Sequence, residues 1–162
     1  MIVMRLLSSL KHDESERGIF HLGRALVKGG HTSIIVSSAD DNNDLVKRLE
    51  RDGNLYHQLY MNKKSWISLL QIAPLRHLIG KYNPDVIHVH SRTPAWILHL
   101  ALRRAKVKRV PKLVSTMYGF YPINKYSQAL LDVDTIITVS DSVTNYLVKG
   151  IRREDLGHKH IK

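Results

Sequence analysis

Short runs of β-branched and aliphatic residues alternate with segments of helical period along the whole chain, and this alternation restricts the fold more than any other feature. Ile34-Ile35-Val36, Val86-Ile87-His88-Val89, Leu113-Val114 and Ile136-Ile137 are such runs, and each is separated from the next by a stretch long enough to hold a helix. Parallel strands need a crossover of about a dozen residues or more, usually a helix, whereas antiparallel neighbours are joined by short turns. The pattern therefore predicts an α/β chain with a parallel sheet of about six strands and helices on both faces. Strands are expected over 2–9, 32–37, 55–60, 85–90, 112–117 and 135–139. Helices are expected over 16–28, 40–51, 65–82, 94–104, 125–131 and 140–149. Gly29-Gly30 and Gly53 mark helix ends, Pro74 should break or kink the third helix, and Ser140 reads as the cap of the last.

The 162 residues fit one domain over 1–149, followed by a charged tail, 150–162, that reads as a linker or disordered segment. There is no cysteine, which excludes a disulfide framework and thiolate chemistry. The apolar start Met1-Ile2-Val3-Met4-Arg5-Leu6-Leu7 lacks a basic leader and a small-residue cleavage site, so it reads as a first strand. Charge is distributed unevenly. Residues 1–62 are balanced, while residues 63–112 hold eleven Lys or Arg against the single carboxylate Asp85. A block of this kind suits an anionic partner, such as phospholipid, nucleic acid or a phosphorylated substrate, or else a solvated surface. No motif for RNA or DNA binding accompanies it, and nucleic acid is not the expected partner.

The stretch from Pro84 to Trp96 runs as a buried strand into a polar loop and then a helix. It delivers His88, His90, Ser91, Arg92 and Thr93 to the carboxyl end of a strand, where open parallel sheets bind ligands. His88 and His90 alternate on the strand and so face the same way. Their spacing alone is compatible with a metal, but no carboxylate or third histidine is near in sequence, and they read as packed or ligand-facing. Arg92 is suited to fork onto a phosphate or carboxylate, or is an ordinary surface arginine. Lys63, Lys64, Trp66, Arg76 and Lys81 mix with aliphatic residues at helical spacing. That reads either as an interfacial helix on anionic lipid or as a core-facing helix with snorkelling lysines.

Three stretches carry a further signal: Glu16-Arg17-Gly18 with Leu22, Ala25-Leu26-Val27 and Gly30-His31; Pro84 to Trp96; and Ser115 to Tyr121, continuing through Asn124 and Tyr126-Ser127 to Val139-Ser140-Asp141-Ser142. Together they resemble the amino-terminal domain of family 4 (group 1) retaining glycosyltransferases of the GT-B fold, of the kind that builds lipopolysaccharide or similar bacterial surface glycans. The resemblance implies a Rossmann-like acceptor-side domain and a second, nucleotide-sugar-binding domain that these residues do not include. It implies transfer of a sugar from a nucleotide-sugar to a glycan or glycolipid acceptor, with no metal or other cofactor. The family places a Gly-Gly pair before the position of Ser15-Glu16-Arg17, where this chain has Asp13 and Glu14, and a histidine where it has Tyr118. Carboxylates oppose a pyrophosphate, and a phenol of pKa near 10 is a poor proton relay at neutral pH.

The substrate-binding set expected from the resemblance is Asp13, Glu14, His90, Ser91, Arg92, Thr93, Tyr118 and Gly119, with no residue assigned as catalytic. The expected partners are a nucleotide-sugar, a glycan or glycolipid, an anionic membrane surface, a separate chain carrying the second domain, and a second copy of this chain. The expected location is the cytoplasm, peripheral on the inner face of the membrane. The isolated chain is expected to be inactive. The alternative is a non-catalytic membrane- or acceptor-binding module derived from such an enzyme.

Overall fold

The computed structural model describes residues 1–10, 14–39, 43–63, 65–103, 109–122, 124–150 and 160–161. Asp13 and Lys64 lie outside the described residues, as do the acidic start expected for the second helix and most of the tail.

The elements run β1 (Ile2–Leu6), α1 (Glu14–Lys28), β2 (Thr32–Ser37), α2 (Asp44–Arg51), β3 (Leu55–Gln58), α3 (Trp66–Leu70) and α4 (Ile72–Tyr82). They continue β4 (Val86–Val89), α5 (Arg92–Leu102), β5 (Lys112–Met117), α6 (Gln128–Leu131), β6 (Thr135–Thr138), α7 (Asp141–Gly150) and β7 (His160–Ile161). All strand pairs are parallel, in the order β3-β2-β1-β4-β5-β6-β7. The six predicted strands are all present, and a two-residue seventh extends the sheet beside β6.

The core forms on both faces. On one, α4, α5 and α6 bury Leu75, Ile79, Ile97, Leu98 and Leu130 against Met4, Leu6, Ile34, Val36, Ile87 and Val89. On the other, α1 and α2 bury Ile19, Phe20, Leu45, Val46 and Leu49 against Ile35 and Leu7. The alternation along β1 and β2 divides their side chains between these two cores.

Helix ends follow the punctuation in the sequence. α1 stops where Gly30 takes φ 72°, with His31 N–H donating to Leu26 and Gly30 N–H to Val27. This is the paired closure that a left-handed glycine permits. α2 ends the same way at Gly53, φ 83°, with Asn54 N–H donating to Leu49 and Gly53 N–H to Glu50. The Ser140 hydroxyl accepts from Val143 N–H at 3.4 Å, as a cap should.

The helix expected over 65–82 is two helices. The break falls at Gln71 and not at Pro74, which occupies the first turn of α4. A proline there has no intrahelical N–H bond to lose, so Pro74 starts a helix instead of kinking one. Two aspartates fasten strand starts across the sheet. Asp85 accepts from Ile2 N–H at 2.7 Å, and Asp134 accepts from Leu113 N–H at 2.7 Å. Asp85 also pairs with Arg109.

Candidate functional site

At the carboxyl ends of β4 and β5 a row of side chains rises from one face of the sheet. In register, Arg5 of β1 stands beside His88 of β4, and His88 beside Val114 of β5. His88 then reaches diagonally forward, its Nε2 sharing a hydrogen bond of 2.7 Å with the Thr116 hydroxyl. His90 makes the same diagonal step, its Nδ1 sharing one of 2.8 Å with the Tyr118 hydroxyl. The two imidazole rings lie 4.1 Å apart, and the His90 and Tyr118 rings are nearly parallel. Thus the predicted common facing of His88 and His90 is observed, and both are buried.

Burial sets the charge of this row. It pulls the His88 imidazole down to about 4, with the neighbouring Arg5 charge adding to the effect. It holds His90 well below the ordinary imidazole range, reinforced by His88 and Arg5. Both rings are therefore neutral at pH 7. Among the described residues, the buried His90 Nε2 meets no hydrogen-bond partner. A neutral imidazole fixed through Nδ1 and unsatisfied at Nε2 can offer one donor or one acceptor to a ligand, but it holds no charge to stabilise an anion.

Arg5 is the residue that sequence reasoning missed. It is fully buried in β1, and its guanidinium donates to Ile19 O at 2.6 Å, Ser33 Oγ at 3.2 Å and Asn54 Oδ1 at 3.3 Å. Burial lowers its pKa to about 10. The available signal was a charged residue in the otherwise apolar run Ile2-Val3-Met4-Arg5-Leu6-Leu7.

The second part of the site sits on α5. Arg92 opens this helix, its guanidinium 5.1 Å above the Tyr121 ring and 5.3 Å from the Tyr126 ring. The Thr93 hydroxyl bonds the Tyr126 hydroxyl, and Trp96 meets the same ring edge-on. Two tyrosines from the β5–α6 loop thus set their rings against the guanidinium, a group suited to a phosphate or carboxylate. The Ser91 hydroxyl is buried and meets no partner among the described residues. Gly119 follows Tyr118, with open space where a side chain would project.

His90, Ser91, Arg92, Thr93, Tyr118 and Gly119 are therefore gathered at the ends of two adjacent strands. Glu14 begins α1, and Asp13 is outside the described residues. The residues expected to meet a membrane are dispersed. Lys63 and Trp66 are exposed next to and on α3. Arg76 donates from Nε to Ala101 O at 3.2 Å, toward α5. Lys81 lies 5.0 Å over the Tyr82 ring at the far end of α4. Among the described residues no three His, Asp or Glu side chains come together as a metal would require.

The sequence matches Glycosyltransferase Family 4 over residues 15–157. The fold is similar to a glycosyltransferase from Rickettsia africae ESF-5, with TM-score 0.76 and 26% identity over 99% of this chain and 42% of that one. It is also similar to the lipopolysaccharide outer core galactosyltransferase WaaB in its apo form, with TM-score 0.70 and 12% identity over 100% of this chain and 44% of that one. Anabaena Alr3699/HepE in complex with UDP and glucose gives TM-score 0.68 and 14% identity over 99% of this chain and 43% of that one. The chain spans less than half the length of these proteins. No curated protein matches the sequence.

Proposed function

The chain belongs to glycosyltransferase family 4 and has the fold of an amino-terminal GT-B domain, and on that premise we propose that it is the acceptor-side half of an enzyme that moves a sugar from a nucleotide-sugar onto a glycan or glycolipid of the bacterial cell envelope. The observation that carries this reading is the convergence of His90, Tyr118, Arg92 and Thr93 at the carboxyl ends of β4 and β5, the side on which parallel α/β sheets take their ligands. Arg92 supplies a fixed cation for a phosphate or carboxylate on the acceptor. His90 Nε2 and the Ser91 hydroxyl supply unsatisfied polar groups for sugar hydroxyls. The parts that grip the nucleotide-sugar lie outside these residues, and the reaction belongs in the cytoplasm.

Saturation-transfer NMR of the 162-residue chain with bacterial core oligosaccharide and, separately, with UDP tests the assignment. Signal from the oligosaccharide that falls in Arg92→Ala supports an acceptor side. Signal from UDP alone refutes it.

One observation favours a non-catalytic module. The family histidine position holds Tyr118, whose hydroxyl is shared with His90. A phenol, with an ordinary pKa near 10, is a poor proton relay at neutral pH. On either reading the purified chain turns over no nucleotide-sugar by itself. The readings separate when the chain is mixed with a nucleotide-sugar-binding domain of the family, because only the enzyme half restores transfer.

A further inference from the structure

Tyr118 and His90 share one hydrogen bond, 2.8 Å from the phenol oxygen to Nδ1, and the direction of its proton decides what the ring can offer a ligand. If Nδ1–H donates to the phenol oxygen, Nε2 is a bare acceptor. If the hydroxyl donates to Nδ1, Nε2 carries the proton of the neutral ring and is a donor. The chemistry of the pair separates the two. A phenol, with a pKa of about 10, is a much stronger acid than the N–H of a neutral imidazole. An imidazole nitrogen, which binds a proton at about pH 6.5, is a much stronger base than a phenol oxygen. The stronger acid meets the stronger base when the hydroxyl donates.

The surroundings hold this arrangement. The His90 and Tyr118 rings are 25° from parallel, and the His88 ring lies 4.1 Å from that of His90, centroid to centroid. Burial, with His88 and Arg5 alongside, keeps a second proton off the His90 ring. His88 makes the contrast. Its partner is the aliphatic hydroxyl of Thr116, which lacks the acidity of a phenol. The row therefore has one ring whose proton is directed and one whose proton is not.

The far side of the His90 ring is open. Nε2 and the adjacent Ser91 hydroxyl are both buried, and neither meets a partner among the described residues. Buried polar atoms left unpaired are uncommon in folded proteins and mark a place for a partner. A donor without charge, next to a hydroxyl that can give or take, fits the lone pair of an uncharged oxygen. This separates it from Arg92, whose charge serves a phosphate or carboxylate.

We propose that Tyr118 is a positioning residue for His90: its hydroxyl donates to Nδ1 and so places the ring proton on Nε2, and Nε2–H donates to a hydroxyl or ring oxygen of the acceptor sugar. The sugar contact rests on the acceptor-side reading above, and the direction of the bond does not. The tyrosine that departs from the family pattern thus sets the tautomer of a histidine on the neighbouring strand and moves no proton itself.

The test is long-range proton–nitrogen NMR of the imidazole rings in the full 162-residue chain at pH 7.5, which reports the protonated nitrogen of each ring. The His90 ring should be a single Nε2–H tautomer. In Tyr118→Phe, which keeps the aromatic ring and removes the hydroxyl, it should become a mixture, while His88 keeps its wild-type signals. The same variant should bind bacterial core oligosaccharide about fivefold more weakly. A His90 ring protonated at Nδ1 would overturn the positioning role, as would a tautomer unchanged in Tyr118→Phe. Core oligosaccharide should shift the Nε2–H signal of the wild-type chain, and inorganic phosphate should not. A shift with phosphate would overturn the uncharged partner. Oligosaccharide that binds by saturation transfer yet leaves Nε2–H unmoved would overturn the contact. If no oligosaccharide binds, the acceptor-side reading fails and the contact with it, while the ligand-free spectra still decide the tautomer.

Discussion

Gly23 lies where any Cβ would come within 2.6 Å of the Arg5 guanidinium and of Asn54 Oδ1. The glycine in α1 is therefore the condition for a fully buried arginine in β1. Its replacement cannot be absorbed by swinging a loose side chain aside, because Arg5 is held by Ile19, Ser33 and Asn54. Gly23→Ala should destabilise the fold by about 1–3 kcal/mol through overpacking. A urea midpoint equal to that of the unchanged chain would show that the guanidinium has room to move.

The buried histidines make stability depend on pH in a stated direction. His88 titrates near 4 in the folded chain and near 6.5 when unfolded. Folded and unfolded forms are both neutral at that ring above pH 6.5, so its full contribution is present there. As pH falls from 6.5 to about 4 the unfolded chain takes up the proton first, and stability drops by about 1.4 kcal/mol per pH unit for each such group. His90 acts in the same sense. Denaturant midpoints at pH 7.5 and pH 5 should differ accordingly, and His88→Asn should flatten the dependence. A midpoint unchanged between those values would show that neither ring is held neutral.

Asp85 and Asp134 perform the same task at different depths. Each accepts a backbone N–H from the start of a neighbouring strand, but the Asp85 side chain is 22% exposed and that of Asp134 is 44%. Asp85→Ala should cost about 1–3 kcal/mol, and Asp134→Ala about 0.5–1.5 kcal/mol. Amide exchange at Ile2 and Leu113 reports the two bonds separately, and a reversed order would refute burial as the cause.

Arg92 should be irreplaceable by lysine. Its planar group lies within about 5 Å of both the Tyr121 and Tyr126 rings, and an ammonium lacks both the plane and the fork. Arg92→Ala should change stability by only about 0.5–1 kcal/mol, while Arg92→Ala and Arg92→Lys should both lose oligosaccharide binding. Full rescue by lysine would reduce the role of Arg92 to charge alone.

The parts of this molecule legible in its sequence are those governed by neighbours along the chain. Ile34-Ile35-Val36 announces a buried strand, Gly30 and Gly53 announce helix ends, and the alternation of His88 and His90 announces a shared face. What was not legible depends on partners far away. Arg5 finds Asn54 across 49 positions, and Tyr126 reaches Thr93 across 33. The split at Gln71 was hidden because Pro74 looked like the interruption. Trp66 could be read as either interfacial or core-facing, and the fold exposes it while burying Ser68 of the same helix.

The sheet order has a kinetic consequence. β1 pairs with β2, its neighbour in sequence, but also with β4, and the bond from Ile2 N–H to Asp85 spans 83 positions. Closing so long a loop loses more entropy than any single helix-linked step, and distant pairing slows folding. The sheet thus has a seam down its middle. The β1–β2–β3 half and the β4–β5–β6 half each pair near neighbours, and joining them along β1 and β4 is the step expected to be slow. Arg5 and His88 face each other across that seam, so the row of side chains that forms the candidate site is completed only when the two halves meet.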